Sequence, residues 1–364
     1  MPPLLSRFSP ASWTRAALTL LLAFAAARAC VWLGTPIPWM IGPLLVTALV
    51  SVLGVATESW TPLRNLGQWV IGTALGLYFT PEVGALVASL WWAIGLAVAW
   101  ALMLGLAFGT WLQRSHAAHL PLPAAQWRST AYFAGAIGGA SEMTLIAERQ
   151  GARTDLVAAA HSLRVLLVTV TIPFALQAFG VHGIDTLPPA IRVVQPVGLA
   201  ALAAITLAGA LLMQSLGRAN PWFMGALVAT MVVTLAGEQW SALPQWLTNA
   251  AQLFIGVSLG VRFTPAFVHT APRWLASVAL ATLVMMGLCA GFGWVMGRLT
   301  GLHPVTMLLG TAPGGIAEMA ITAKVLQLGV PVVTAFQVCR LVAVLVLAEP
   351  VFRWREARAT TATC

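Results

Sequence analysis

Long apolar runs recur along this chain from one end to the other, and they constrain its fold more than any other feature. A membrane-spanning helix needs about 20 mostly apolar residues, and backbone inside lipid must satisfy its own hydrogen bonds, which leaves helices or closed barrels. Because the runs are continuous rather than alternating, we predict an all-α polytopic integral membrane protein. The runs cover residues 16–33, 38–56, 64–80, 83–110, 130–149, 155–179, 195–216, 221–237, 246–263, 273–297, 304–327 and 331–352.

Few charged side chains interrupt these runs. Charged residues make up 8% of the chain, against about a quarter in soluble domains. The net charge of +9 comes from basic residues spread singly, except for three arginines near the C-terminus. Basic residues that flank apolar spans tend to lie in the cytoplasm. We therefore expect a multi-pass inner-membrane protein with both termini in the cytoplasm, whose partner is the lipid bilayer and which does not bind nucleic acid directly.

Three sequence blocks occur twice, in the same order. The offsets between the copies are 183, 184 and 176 residues, and eight of fourteen positions of the longest block are identical. Shared hydrophobicity does not explain such constant spacing, so the pattern predicts an internal repeat. The paired blocks are PWMIGPL at 38–44 and PWFMGAL at 221–227, QWVIGTALGLYFTP at 68–81 and QLFIGVSLGVRFTP at 252–265, and GGASEM at 138–143 and GGIAEM at 314–319.

The repeat predicts two homologous halves, a first membrane repeat at 1–183 and a second at 184–364, each with about five to six transmembrane helices. The linker 180–195 contains the boundary, and the polar stretch 111–128 is predicted to be a loop. If all six segments of each half cross the membrane, the repeats are parallel. If one segment per half is re-entrant or broken, the repeats are inverted, as in many secondary transporters. The sequence leaves both topologies open and slightly favours the inverted one.

A Gly-Gly pair interrupts one apolar segment in each half. Each glycine weakens a helix by roughly 1 kcal/mol relative to alanine. Pro313 also removes a backbone donor in the second half, where the first half has Ile137. We therefore predict a Gly-Gly-broken helix in each half. Non-helical backbone at membrane depth is stable only when it is buried in protein or lines a wet cavity.

An acidic residue follows each pair of glycines, and an arginine follows each acid by 22 residues. The acids are Glu142 and Glu318, and the arginines are Arg164 and Arg340. An ionisable group at the bilayer centre costs roughly 2.5–3.5 kcal/mol on insertion scales, which makes each of these residues a functional candidate. The equal spacing predicts that each arginine reaches the acid or the break of its own half. Two interpretations stay open, a structural ion pair that joins two helices and a site that handles a solute or a proton.

Other residues carry weaker signals. The glycines of the 68–81 and 252–265 blocks would let helices approach closely, while a cavity-lining role would involve Tyr78 and Arg262. The histidines do not form a metal-ligand set, and the cysteines lack a CxxC pair. We therefore predict no metal and no cofactor, and we do not expect the chain to be an enzyme.

The paired Gly-Gly-x-x-Glu-Met blocks, together with the Pro-Trp and Phe-Thr-Pro blocks, resemble those of the AbrB-type membrane-protein duplication family of bacteria. The resemblance covers essentially the whole chain. That family is often labelled ammonia monooxygenase or AbrB family transcriptional regulator, so the resemblance implies a membrane-embedded regulator of gene expression or, more distantly, a membrane monooxygenase. Residues 130–179 and 304–352 resemble more loosely the crossing broken helices of bile-acid-symporter-like and cation/proton-antiporter-like transporters.

In those transporters the two breaks frame the transport site. Carried over to this chain, the resemblance implies a secondary transporter or permease for a small solute, with the arginines favouring an anion. The principal alternative is the membrane-embedded regulator, and a homo-oligomer is compatible with both functions. The implied substrate-binding residues are Gly138, Gly139, Ser141, Glu142, Arg164, Pro313, Gly314, Gly315, Glu318 and Arg340.

Overall fold

Proline begins eight of the sixteen helices in the described part of the chain. Its fixed φ suits the first helical position, where the missing N–H has no intrahelical partner in any case. The computed structural model describes residues 10–116, 122–181, 183, 193–270 and 272–361, and every regular element in these ranges is a helix, which confirms the predicted all-α class. The helices are α1 (Pro10–Trp32), α2 (Pro38–Val52), α3 (Thr61–Gly76), α4 (Pro81–Ser89), α5 (Trp91–His116), α6 (Ala124–Gly135), α7 (Ala140–Arg149), α8 (Thr154–Ala178), α9 (Pro196–Ser215), α10 (Pro221–Leu235), α11 (Gln245–Gly260), α12 (Pro265–Thr270), α13 (Pro272–Thr300), α14 (Pro304–Thr311), α15 (Ile316–Val325) and α16 (Val330–Thr361).

Six of the described helices, α1, α5, α8, α9, α13 and α16, are long and apolar enough to cross a membrane. Helices α3 and α4 add a seventh span if they are counted together, although they bend by 88° at their junction. Helices α2 and α10 are apolar but only 15 residues long, which corresponds to about 22 Å. These helices confirm the prediction of a polytopic membrane protein.

The prediction of a loop over 111–128 is wrong for most of that stretch. Helix α5 continues to His116 and α6 begins at Ala124, while residues 117–121 lie outside the described part of the chain. Leucine, glutamine and arginine are good helix formers, so a polar sequence at the end of an apolar helix does not by itself end the helix. The predicted linker 180–195 lies mostly outside the described residues.

The chain folds into two compact units that do not coincide with the two sequence halves. Unit 1 covers Met1–Leu86, Pro173–Thr270 and Lys324–Pro331, and unit 2 covers Val87–Ile172, Ala271–Ala323 and Val332–Cys364. Each unit therefore takes helices from both halves. The assignment of 1–183 and 184–364 as repeats stays a prediction from the sequence.

In unit 1, the third helix of each half packs against the second helix of the other half, as α3 against α10 and α11 against α2. Glycines make this approach close. A Cβ added to Gly256 would lie 2.6 Å from the carbonyl oxygen of Met40, and one added to Gly260 would lie 2.7 Å from the Cβ of Thr47. The glycines of the duplicated block are therefore packing residues.

In unit 2, two Gly-x-x-x-Gly pairs bring long helices against the broken ones. Gly105 and Gly109 lie in α5 and face α6, and Gly293 and Gly297 lie in α13 and face α14. A Cβ on Gly293 would lie 2.7 Å from the backbone nitrogen of Leu308. Small residues at such interfaces allow helix backbones to pack tightly in lipid. These contacts hold the first half of each broken helix in place.

Candidate functional site

The two Gly-Gly segments break their helices in the same way. Helix α6 gives way to α7, and α14 gives way to α15, across four residues in each case. The backbone leaves the first helix at Ala136, with φ −57° and ψ 135°, and at Ala312, with φ −56° and ψ 142°. The predicted breaks are confirmed. Both exits are extended, although Pro313 follows only the second.

The first broken helix turns back on itself. The backbone nitrogen of Arg153 donates to Thr130 Oγ1 at 2.9 Å. In a continuous helix these two residues would lie about 35 Å apart, so α7 must return toward the end where α6 begins. Helix α8 then runs parallel to α6, because His161 contacts the Phe133 carbonyl oxygen and Arg164 contacts that of Ala136. We call the α6–α7 pair hairpin 1.

The second broken helix has the same form. The Gln337 side chain donates to the Leu309 carbonyl oxygen at 2.6 Å, and Arg340 donates to that of Ala312. Helix α16 therefore runs parallel to α14. Because α16 begins at Val330, seven residues before the one that contacts Leu309, its start lies beside the start of α14, and α15 must return toward that end. We call the α14–α15 pair hairpin 2.

The two hairpins enter unit 2 from opposite ends. Tyr132 Oη donates to the Ala348 carbonyl oxygen at 2.8 Å. Arg128, one turn earlier in α6, pairs with Glu356, two turns later in α16. Helix α6 is therefore antiparallel to α16, whereas α14 is parallel to it. Of the two topologies left open by the sequence, this is the orientation that an inverted repeat produces.

The hairpin tips lie well inside the bilayer if each hairpin begins at its surface. Helix α6 has 12 residues and α14 has eight, which correspond to about 18 Å and about 12 Å. The hydrocarbon core of a bilayer is about 30 Å thick. With the hairpins starting at the surface, both breaks would reach approximately the middle of the hydrocarbon.

The two arginines bind the carbonyl end of the first helix in each hairpin. Arg164 is 1% exposed and donates to the Ala136 oxygen at 3.0 Å, and Arg340 is 5% exposed and donates to the Gly314 oxygen at 2.8 Å. The last carbonyl groups of a helix lack intrahelical partners and carry partial negative charge. Of the two expected targets, the acid and the break, these hydrogen bonds reach the break.

A second polar side chain contacts a carbonyl group near the end of the first helix in each hairpin, and no role was predicted for it from the sequence. His161 contacts the Phe133 carbonyl oxygen in hairpin 1, and Gln337 contacts that of Leu309 in hairpin 2. The corresponding residues of the two contacts are separated by 176 positions (337 − 161 and 309 − 133), the same offset that relates the Gly-Gly blocks. That offset was the available signal, since it aligns a histidine with a glutamine three residues before each arginine.

The two glutamates lie at the opposite side of each break. Glu142 and Glu318 are in the first turns of α7 and α15. A Cβ on Gly139 would clash with the Glu142 carboxylate, and a Cβ on Gly315 would clash with that of Glu318. Each carboxylate therefore lies against the start of its helix, where free N–H groups favour an anion. Glu318 is 7% exposed and Glu142 is half-buried.

The glycines at the tips are needed for space rather than for an unusual backbone conformation. None of the four has a positive φ. Each tip also touches the long helix of the other half, since a Cβ on Gly139 would lie 3.5 Å from Leu341 Cδ1 and one on Gly314 would lie 2.9 Å from Val168 Cγ1. The tips are thus brought together around α8 and α16.

Ser141 and Pro313 complete the predicted set of substrate-binding residues. Ser141 is exposed in the first turn of α7, and Pro313 is buried in the second break. Tyr78 is buried and Arg262 is half-buried, and both belong to unit 1 rather than to the unit that holds the breaks. In the part of the chain that the structure describes, no three His, Cys, Asp or Glu side chains are grouped so that they could hold a metal ion.

Each tip therefore carries one cation on its carbonyl end and one carboxylate on its N–H end. This arrangement balances the charges of the half-helices without an external ion. An anionic solute that binds the free N–H groups must compete with the glutamate of the same tip, and a cationic solute must compete with the arginine. The arginines alone do not create a preference for anions.

The outer end of hairpin 1 is joined to α16 by an ion pair. Arg128 Nε and Nη2 each donate to one carboxylate oxygen of Glu356 at 2.8 Å, and the side chains are 33% and 28% exposed. Gln150, just after α7, also donates to Glu349 of α16 at 3.0 Å. Both ends of the hairpin are thus attached to one helix.

We expect the Arg128–Glu356 pair to stabilise the fold by about 0.5–1 kcal/mol, because partly exposed ion pairs are worth little even when they are bidentate. The measurement is a double-mutant cycle of Arg128→Ala and Glu356→Ala, read as the free energy of unfolding in micelles. The exposed Arg353–Glu349 pair on α16 provides a control with a smaller coupling energy. A coupling energy indistinguishable from zero would contradict the attachment.

Comparisons with known proteins cover most of the chain. The family model described as transition state regulatory protein AbrB matches residues 39–356. "Uncharacterized protein YhjN" of Bacillus subtilis (strain 168) is 26% identical over 349 residues, which cover 88% of this chain and 88% of that protein. "Putative regulator AbrB" of Escherichia coli (strain K12) is 25% identical over 328 residues, which cover 88% of this chain and 90% of that protein. The matched region includes both hairpins.

Proposed function

We propose that this chain, which belongs to the family described as transition state regulatory protein AbrB, is a secondary transporter of a small solute rather than an enzyme. The observation that supports the proposal is a pair of oppositely directed hairpins in unit 2, each with an arginine and a glutamate at its tip and each tip against the long helix of the other half. Four ionisable groups placed near mid-membrane cost roughly 10–14 kcal/mol on insertion scales. Broken helices with polar ends at this depth are the usual way in which transporters bind solutes.

The solute that this site fits best is a small organic or inorganic anion. The N–H groups at the starts of α7 and α15 are anion sites by geometry, and the protein's own carboxylates lie against them at Glu142 and Glu318. A solute anion would bind when a carboxylate turns away or is protonated. Removing a carboxylate charge should therefore change the affinity of the site for a solute anion.

We further propose that hairpin 1 opens toward the cytoplasm of a cell whose inner membrane holds the protein. The outer end of hairpin 1 carries more arginines than acids, and positive residues that flank spans tend to remain in the cytoplasm. The resulting orientation places hairpin 2 at the other face. The arginines in and around this end are Arg114, Arg128, Arg149, Arg153, Arg273, Arg353, Arg355 and Arg358, and the acids are Glu148, Asp155, Glu349 and Glu356.

The test is anion-evoked current in proteoliposomes on a solid-supported membrane, with acetate, succinate and phosphate as probes. We expect the wild type to respond to at least one probe and Glu318→Gln to lower that response at least about tenfold. Without a competing carboxylate the anion binds more tightly and is released more slowly, and about 1.4 kcal/mol is tenfold in affinity. The matched control is Glu238→Gln, which changes an exposed residue of unit 1. No response to any of the three probes from folded wild-type protein would overturn the anion proposal.

A second candidate function is regulation of gene expression, which is favoured by the name of the Escherichia coli relative, "Putative regulator AbrB". It would act through partners rather than through direct contact with nucleic acid. The two candidates separate in a strain that carries Glu142→Gln together with Glu318→Gln. Expression changes that persist in this double variant, with transport abolished, would identify a regulator that does not depend on transport.

A further inference from the structure

The side chain three residues before the arginine that binds each tip is titratable beside hairpin 1, as His161, and not beside hairpin 2, as Gln337. We call this side chain and the arginine the polar frame of the hairpin. His161 is 0% exposed, with Nε2 2.9 Å from the Phe133 carbonyl oxygen and Nδ1 2.7 Å from Arg164 Nη2. A guanidinium group only donates hydrogen bonds, so Nδ1 must accept and Nε2 must carry the hydrogen. The frame of hairpin 1 therefore requires the neutral ring in one tautomer.

Hairpin 2 replaces this histidine with an amide. Gln337 Nε2 donates to the carbonyl oxygens of Leu309 at 2.6 Å and Ala312 at 3.1 Å. Its Oε1 atom is buried without a hydrogen-bond partner, and Arg340 donates directly to the Gly314 carbonyl oxygen at 2.8 Å. An amide neither gains nor loses a proton in the physiological range, so the frame of hairpin 2 is independent of pH.

A proton on His161 is incompatible with the contact to Arg164. The imidazolium ring has donors at both nitrogens, so Nδ1–H would face a guanidinium N–H group and two positive charges would meet in a buried site. The elements packed against His161 do not compensate this positive charge. Helix α6 contributes the Phe133 carbonyl group, α8 contributes Arg164 itself, and the charge of Arg340 on α16 repels Arg164 further.

We infer that His161 is a proton-binding site whose occupation releases Arg164 from the tip of hairpin 1 and leaves hairpin 2 unchanged. When Arg164 leaves, the Ala136 carbonyl group loses its donor, and the end of α6 is no longer capped. The inference rests on the proposed transport function for its purpose, because it names the proton as the ion that would drive one of two otherwise similar gates. The structural effect itself needs no solute.

The experiment is hydrogen–deuterium exchange of the purified protein in nanodiscs between pH 8 and pH 5, with each rate corrected for the intrinsic pH dependence of amide exchange. We expect the protection of residues 134–143 to fall at least about tenfold at low pH, as a local opening reaction, while residues 310–319 keep theirs. The chain provides two matched variants. His161→Gln copies the frame of hairpin 2 into hairpin 1, and Gln337→His does the reverse.

His161→Gln should abolish the low-pH loss of protection at 134–143, and Gln337→His should create one at 310–319. His303→Gln, which changes an exposed histidine beside hairpin 2, should leave the wild-type pattern intact. Nitrogen-15 NMR of the histidine rings should show His161 as the Nε2–H tautomer at pH 8. Loss of protection at 134–143 in His161→Gln equal to that in the wild type would overturn the inference, as would an equal response of both hairpins.

Failure of this inference and failure of the transport proposal are distinguishable. Exchange is measured without any solute, so a pH-independent hairpin 1 in a protein that transports anions removes only the role of His161. A pH-dependent hairpin 1 in a protein that transports nothing would retain the proton site and remove only its assigned purpose.

Discussion

Replacing Arg164 with methionine is expected to lower the free energy of unfolding by roughly 2–6 kcal/mol, since each buried acceptor left without a donor costs about 1–3 kcal/mol. The two short contacts that the substitution removes are those to the Ala136 carbonyl oxygen and to His161 Nδ1, while the third, to the Ala134 carbonyl oxygen, is longer at 3.4 Å. Methionine fills a similar volume, so the effect measures lost hydrogen bonds and lost charge rather than a cavity. The readout is denaturant-induced unfolding in micelles, followed by tryptophan fluorescence.

Two further variants show which property of Arg164 matters. Arg164→Lys keeps the charge but presents a point charge instead of a planar fork, so it should fall between the wild type and Arg164→Met. Arg149→Met removes an exposed arginine from the last turn of α7 in the same hairpin and should cost less than about 1 kcal/mol. An Arg164→Met protein as stable as Arg149→Met would show that the carbonyl end of α6 needs no cap.

Replacing Gly135 with alanine is expected to destabilise the protein by about 1–3 kcal/mol or more, the usual cost of overpacking. A Cβ at this position would lie 2.5 Å from the backbone nitrogen of Gly109 and 2.6 Å from the carbonyl oxygen of Gly105. Backbone atoms of α5 cannot turn aside as a side chain can. Helices α5 and α6 must therefore separate, which would also shift the tip of hairpin 1.

Gly95 provides the matched control because it lies in α5 as well, but a Cβ there would meet nothing within 4 Å. Alanine is a better helix former than glycine by roughly 0.5–1 kcal/mol, so Gly95→Ala should be neutral or stabilising. We therefore expect Gly135→Ala and Gly95→Ala to change the stability in opposite directions, although the chemical change is the same. Thermal unfolding in micelles measures both. Equal effects would mean that α5 and α6 are not in close contact at Gly135.

Much of the candidate site was predictable from local sequence. The Gly-Gly pairs predicted both helix breaks, because glycine and proline weaken a helix whatever surrounds it. The acids and arginines stood out because charges are costly in lipid. The offset of 176 residues would also have aligned His161 with Gln337. A single histidine or glutamine in a sequence, however, does not predict a hydrogen bond to a carbonyl group.

Other features depended on distant contacts. The Gly-x-x-x-Gly pairs of α5 and α13 look no different in the sequence from Gly287 and Gly291, which meet nothing within 4 Å. Only the packing of α5 on α6 and of α13 on α14 distinguishes them. The prediction of a loop over 111–128 was wrong for most of that stretch, because polar residues at the end of a helix can continue the helix as readily as they can end it.

By itself, the sequence determined that this is a helical membrane protein with a broken helix in each half and four buried-charge candidates. These properties follow from the transfer of side chains into lipid and from the backbone preferences of glycine and proline, which act residue by residue. Only the tertiary structure decided that each broken helix returns to the side it came from, that the two hairpins point in opposite directions, and that each arginine binds carbonyl groups. Those choices depend on hydrogen bonds between residues far apart in the chain, such as Thr130 with Arg153 and Tyr132 with Ala348, and no local pattern encodes them.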